Sequence, residues 1–292
     1  MEIKGCGTAL ITPFKEDLSV DYDVFRSLVK RQIDNGIHFI VPLGTTGETP
    51  CLEDDEKTKL LEISVEEAKG KIPVVVGAGS NSTKQVINNI REFEYTGVDA
   101  FLIVTPYYNK PTQAGMYNHF KAISESTDKN IIMYNVPART SVNMNADTCL
   151  RLAELENIIA TKEASSNYDQ ISEIIRNSPE GFSVLSGNDD ETLSLCVTGA
   201  KGVISVASNL APKELSDYLT LIMKFDFENA AKEHHRLMPL FKNCFIESNP
   251  IPVKAGFAYL GLIENVLRPP LYTSTRKTFD IMAGTLQNLK IK

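Results

Sequence analysis

Lys162 stands where a short apolar run ends, in "NIIATKEASS", residues 157–166. A run of that kind fills a buried parallel strand, so the sequence sets an ammonium at the mouth of a core strand. Burial strips an ammonium of hydration and lowers its pKa from a reference of about 10.4. The neutral amine then attacks a ketone and forms a Schiff base. The competing reading is an ion pair with adjacent Glu163. Consecutive strand residues point to opposite faces, which makes that pairing awkward.

Two further strings carry chemistry. "YNVPART", residues 134–140, supplies a phenol and a guanidinium. Tyr134 can move protons to and from a carbinolamine, and Arg139 matches a carboxylate in bidentate fashion. Taken singly, each reads as a rim aromatic and a surface ion pair; one strand away from Lys162, they read as a site. "GTTGE", residues 44–48, flanks two threonines with glycines. Such a loop turns tightly and exposes backbone N–H groups to a carboxylate or phosphate. It reads equally as a βα turn with helix-capping hydroxyls. "SGNDD" and "SVASN" have few of the glycines of a phosphate cradle, which favours a non-phosphorylated substrate. Asp189 and Asp190 either face inward, repelling a phosphate, or cap the next helix.

These strings need a scaffold that gathers strand ends. Apolar runs occur at 7–14, 39–44, 73–79, 100–106, 130–137, 157–164, 182–187 and 202–208. Their starts lie roughly 20–34 residues apart, the size of a strand–helix unit. Between them, "VDYDVFRSLVKRQIDNG" has apolar residues at helical spacing and ends in Asn35-Gly36, a C-cap signal. "STKQVINNIREFEYTG" starts on Ser/Thr and stops at Gly. Eight alternations predict an α/β fold, a (β/α)₈ TIM barrel. An open doubly wound sheet is disfavoured because no G-x-G-x-x-G follows the first strand. The strand pattern stops near residue 210. The remainder reads as helices broken at Pro250, Pro252 and Pro269-Pro270. The expected division is a catalytic barrel over 1–224 and a helical C-terminal subdomain over 225–292.

Composition bounds the function. Of 292 residues, 42% are hydrophobic and 23% charged, as in an ordinary globular protein. A net charge of −7 argues against a nucleic-acid surface. Five dispersed cysteines suit free thiols in a reducing compartment. Four histidines without ligand spacing argue against a structural zinc site. The strand ends lack the paired carboxylates of glycosidases. The first residues hold too short an apolar stretch for a signal peptide, and no run reaches the roughly 18–20 apolar residues of a membrane span. The expectation is a soluble cytoplasmic protein.

"GTTGE", "YNVPART" and "TKEAS", with "TPYYNKP" and "GVISVASN", resemble the dihydrodipicolinate synthase family of pyruvate-lysine aldolases. The resemblance spans nearly the whole chain. It implies condensation of pyruvate with L-aspartate-4-semialdehyde to 4-hydroxy-tetrahydrodipicolinate, in the diaminopimelate route to lysine, with no cofactor and no metal. By position, Lys162 matches the Schiff-base lysine, Tyr134 the general acid/base and Thr45 the relay threonine. Tyr108 matches the tyrosine that reaches in from a neighbouring subunit. Thr46 and Ile204 match pyruvate-binding positions, Gly187 lines the pocket, and Arg139 matches the carboxylate-binding arginine at the entrance. The implied assembly is a homotetramer, a dimer of dimers.

The chain departs from the pattern at Ser166, where many relatives have a smaller residue. It also departs at the cleft where lysine-inhibited relatives bind lysine. Asp54 and Lys57 stand at the histidine positions and Gln85 at the acidic one, while Asn81 and Tyr107 remain. This pattern implies weak or absent lysine inhibition. The rivals are an N-acetylneuraminate lyase, a keto-deoxy-sugar-acid aldolase, or a catalytically silent barrel. Sialic acid lyases typically show Ser-Thr at the strand-two loop and lack an arginine after "YNVPA". Thr45 and Arg139 therefore discriminate against them. Joint retention of Lys162, Tyr134, Thr45 and Tyr108 argues against a silent barrel.

Overall fold

The computed structural model describes Met1–Lys292. Its strands are β1 (Gly5–Ala9), β2 (Phe39–Val41), β3 (Val75–Gly77), β4 (Ala100–Val104), β5 (Asn130–Asn135), β6 (Ile158–Glu163), β7 (Ser183–Ser186) and β8 (Gly202–Ser205). The expected count of eight is borne out. All pairings are parallel, in the order β2-β1-β8-β7-β6-β5-β4-β3. A parallel bridge between Ile40 and Val74 spans the remaining seam. At that seam Gly77 donates its N–H to the Pro42 carbonyl at 3.0 Å. A Cβ on Gly77 would lie 2.0 Å from the Leu43 carbonyl oxygen, so only glycine lets β3 approach here.

Helices alternate with the strands: α1 (Tyr22–Asp34), α2 (Asp54–Ala68), α3 (Thr83–Phe93), α4 (Gln113–Ser124), the short α5 (Pro137–Thr140), α6 (Ala146–Ala153), α7 (Tyr168–Asn177), α8 (Thr192–Val197) and α9 (Pro212–Met223). Local sequence sets their ends. Asp21, Ser82, Thr112, Asn145 and Asn167 each accept a backbone N–H as N-caps. Gly36 and Gly97 follow α1 and α3 in the left-handed conformation. α10 (Phe227–Asn243), α11 (Ile251–Tyr259) and α12 (Arg276–Leu289) complete the chain. Pro252, expected to break a helix, sits in the first turn of α11. There its missing N–H costs nothing, because first-turn donors lack intrahelical partners. No helix is long and apolar enough to cross a membrane.

Strand alternation sorts the core into two layers. Ala9, Phe39, Val41, Val75, Ala100, Leu102, Ile132, Ala160, Leu185 and Ile204 fill the barrel interior. Their neighbours along each strand, such as Ile40, Phe101, Met133 and Val203, face the helices. On β6 the interior set continues from Ala160 to Lys162, since residues two apart share a face.

Candidate active site

A cavity of about 890 Å³ opens at the carboxyl end of the strands. Lys162 and Tyr134 lie side by side in its wall, because β5 and β6 pair Tyr134 directly with Lys162. The Lys162 Nζ sits 4.4 Å from the centre of the Tyr134 ring. Lys162 is only 5% exposed. Burial pulls its pKa down to about 8, opposed by Asp189 and assisted by Arg139. Burial also pushes the Tyr134 phenol up to about 12, with Arg139 opposing the shift. At neutral pH the phenol therefore keeps its proton, while the amine has an appreciable neutral fraction.

Thr45, Thr46, Arg139 and Gly187 line the same cavity. Thr45 to Gly47 form a tight turn with Thr45 exposed and Thr46 buried. Thr49 closes the turn by donating to the Gly44 carbonyl at 2.9 Å. Arg139, in α5, is exposed at the rim. Gly187 has no room for a side chain: a Cβ would meet the Ala164 methyl at 2.6 Å. Ile204 belongs to the barrel interior, and Val206, two residues on, reaches the lining. Tyr108 is 87% exposed, in a left-handed backbone conformation, and is not part of this lining. Its neighbour Tyr107 is.

Glu163 turns away from Lys162, to the outer face of the barrel. Its carboxyl takes N–H from Asn135 at 2.6 Å and O–H from Ser165 at 2.5 Å. Burial raises its pKa to about 7. Asp189 is drawn into the wall, where it accepts the backbone N–H groups of Val206 and Ala207 at 3.1 and 3.0 Å. Asp190 instead pairs with Lys242 on the surface. Neither caps α8. No group of three or more His, Cys, Asp or Glu residues is placed to hold a metal.

Sequence reasoning missed the contribution of the turn between α10 and α11. Phe245, Ser248 and Asn249 line the cavity. Asn249 donates to the Thr46 hydroxyl at 2.9 Å. In the sequence it is one polar residue before a proline, which reads only as a turn. The cleft positions also converge here, since Lys57, Gln85 and Tyr107 line one flank. Lys57 is paired with Asp54 at 2.8 Å, and Gln85 donates to Asn89 at 2.8 Å.

The description "Dihydrodipicolinate synthetase family" matches residues 2–289. A 4-hydroxy-tetrahydrodipicolinate synthase from Phocaeicola vulgatus is 50% identical over 291 residues, covering 99% of this chain and 98% of the relative. The crystal structure of a dihydrodipicolinate synthase from Thermotoga maritima superposes with a TM-score of 0.97 at 43% identity, covering 99% of each chain. A monomeric dihydrodipicolinate synthase variant gives a TM-score of 0.97 at 43% identity, covering 99% of this chain and 98% of that one. Sequence and backbone thus agree over almost every residue, and the chain belongs to the dihydrodipicolinate synthetase family.

Proposed function

We propose that this chain is a lyase that condenses pyruvate with L-aspartate-4-semialdehyde to 4-hydroxy-tetrahydrodipicolinate, in the diaminopimelate route to lysine. The observation that carries the reading is a buried lysine amine, with its pKa lowered to about 8, against a tyrosine ring in the wall of the cavity. The names of the relatives favour this substrate pair over a sugar-acid aldolase.

The neutral Lys162 amine adds to the ketone carbon of pyruvate. Tyr134 passes a proton to the carbinolamine oxygen, which leaves as water and gives an iminium. The iminium nitrogen draws electrons from the methyl carbon, which loses a proton to become an enamine. That carbon attacks the aldehyde of the second substrate. The amino group of that substrate then replaces Lys162 at the former ketone carbon, closing the ring and freeing the lysine. Each step moves a proton, so Thr45 and Tyr134 serve as a hydroxyl relay, completed by Tyr108 of a second copy. Thr46 and the Gly187 and Ile204 region hold pyruvate, and Arg139 receives the carboxylate of the semialdehyde. In this reading the barrel over 1–224 carries the chemistry and 225–292 buttresses it. The protein works in the cytoplasm as a homotetramer.

Borohydride reduction in the presence of pyruvate tests the reading, because an imine is reducible and a free lysine is not. The expected product is one pyruvate-derived adduct on Lys162 by peptide mapping. An adduct on another lysine, or none, refutes it.

A further inference from the structure

We propose that Asn249 is a positioning residue that aims the hydroxyl hydrogen of Thr46 into the cavity. The inference rests on the reading of Thr46 as a pyruvate-binding residue. A hydroxyl has one hydrogen to donate and two lone pairs to accept with. The Asn249 amide occupies one lone pair of the Thr46 Oγ1 at 2.9 Å. No acceptor in the chain takes the Thr46 hydrogen, and Thr46 is 2% exposed in a wall that lines the cavity. A carboxylate in the cavity is the remaining acceptor. Asn249 is itself buried, and its Oδ1 has no partner, so Thr46 is the sole hydrogen-bond partner of its side chain.

A second tie keeps the two segments in register. Glu48, at the end of the same loop, pairs with Lys254 at 2.5 Å, and both side chains are fully buried. The other Glu48 oxygen accepts the Arg268 backbone N–H at 3.0 Å. Lys254 also donates to the Val266 carbonyl at 2.9 Å and lies 4.1 Å over the Phe14 ring. Glu48 has a left-handed backbone, a conformation that costs a non-glycine residue energy and persists only when its surroundings hold it. The C-terminal segment thus braces the threonine loop at two points, and Asn249 is the one that touches a substrate-facing hydroxyl.

The polarity of the contact makes the inference testable. Pyruvate concentration for half-maximal borohydride trapping on Lys162 would be measured for the unaltered enzyme, Asn249→Ala, Asn249→Asp, Thr46→Val and Asn249→Ala/Thr46→Val. Circular dichroism and thermal melting verify that each is folded. Asn249→Ala should raise the half-maximal concentration about five- to tenfold, as expected for losing one oriented hydrogen bond. Asn249→Asp should raise it further, because a carboxylate accepts the Thr46 hydrogen and turns it away from the substrate. The double variant should be no worse than Thr46→Val, since Asn249 acts through that hydroxyl. Unchanged half-saturation in folded Asn249→Ala, or independent effects in the double variant, overturns the inference while leaving the functional reading intact. If Asn249→Ala fails to fold, Asn249→Asp against Thr46→Val decides the same question: Asn249→Asp binding pyruvate as well as the unaltered enzyme overturns the inference. No trapping in the unaltered enzyme overturns the functional reading, and the inference with it.

Discussion

Lys162 is a group that the fold holds at a cost. Its pKa falls from 10.5 in the reference state to about 8 when buried. Below about pH 8 both folded and unfolded chains carry the charge, and the full burial cost applies. Between 8 and 10.5 the folded amine is neutral while the unfolded one still binds a proton, so stability rises with pH; above 10.5 the cost is gone. Lys162→Met should therefore be more stable than the unaltered protein at pH 7, by about 3 kcal/mol from the size of the shift, and inactive. The stability gap should shrink as pH rises towards 10.5, as measured by urea unfolding at several pH values. The same shift implies that the rate of imine formation climbs with pH and levels off near 8. A profile still rising steeply above pH 9 would place the nucleophile in a more solvated setting.

At the scale of elements, the β5–β6 pair is locked from behind. Tyr134 and Lys162 face the cavity, and the next residues, Asn135 and Glu163, face outward and bond to each other at 2.6 Å. Asn143 and Gln170 continue the network. Burial lifts Glu163 to about 7 from 4.5. Between those values the folded state retains a proton that the unfolded state has released. Stability from this group thus falls as pH rises from 4.5 to 7 and is flat above. Glu163→Gln should flatten that part of the stability profile, and an unchanged slope in calorimetry would remove Glu163 as its source. Barrel closure gives a second prediction. Gly77→Ala drives a Cβ into the Leu43 backbone and should destabilise by about 3 kcal/mol, the upper end of the usual cost of overpacking. Gly284→Ala, in α12 with open space around it, should stabilise by up to about 1 kcal/mol. Comparing the two melting temperatures separates a closure glycine from a dispensable one.

At the scale of the whole molecule, what matters is how distant segments and copies meet. An allosteric ligand works only through differential affinity for two states. Along the cavity flank, Lys57 would set a cation near a lysine ligand's own ammonium groups, and Asp54 is already engaged with Lys57. Gln85 supplies no charge and is engaged with Asn89. Free lysine titrated into a steady-state assay should therefore inhibit weakly or not at all, and sub-millimolar inhibition would overturn this. Tyr108 stands exposed and outside the cavity lining that includes Lys162. Mixing Tyr108→Phe with Lys162→Ala chains should restore part of the activity in verified hybrids, and no recovery would exclude a shared site.

The amino-acid order by itself determined the repeating strand–helix units and the face on which Lys162 lies, because strand and helix periodicities are local. It also determined several helix ends, since caps such as Ser82 and stops such as Gly36 act over one turn. The strings at 44–48, 134–140 and 161–165 were legible for the same reason: each sits at one strand end, and one fold rule sends all strand ends to one rim. Tertiary structure alone decided what closes the site. Asn249 reaches Thr46 across 203 positions of sequence, and Lys254 reaches Glu48 from the same distant segment. Asp189 turns into the wall to hold the start of the turn after β8. No local pattern marks these contacts, because the partners of a buried polar group are chosen by whichever segments the packed core brings within hydrogen-bond reach.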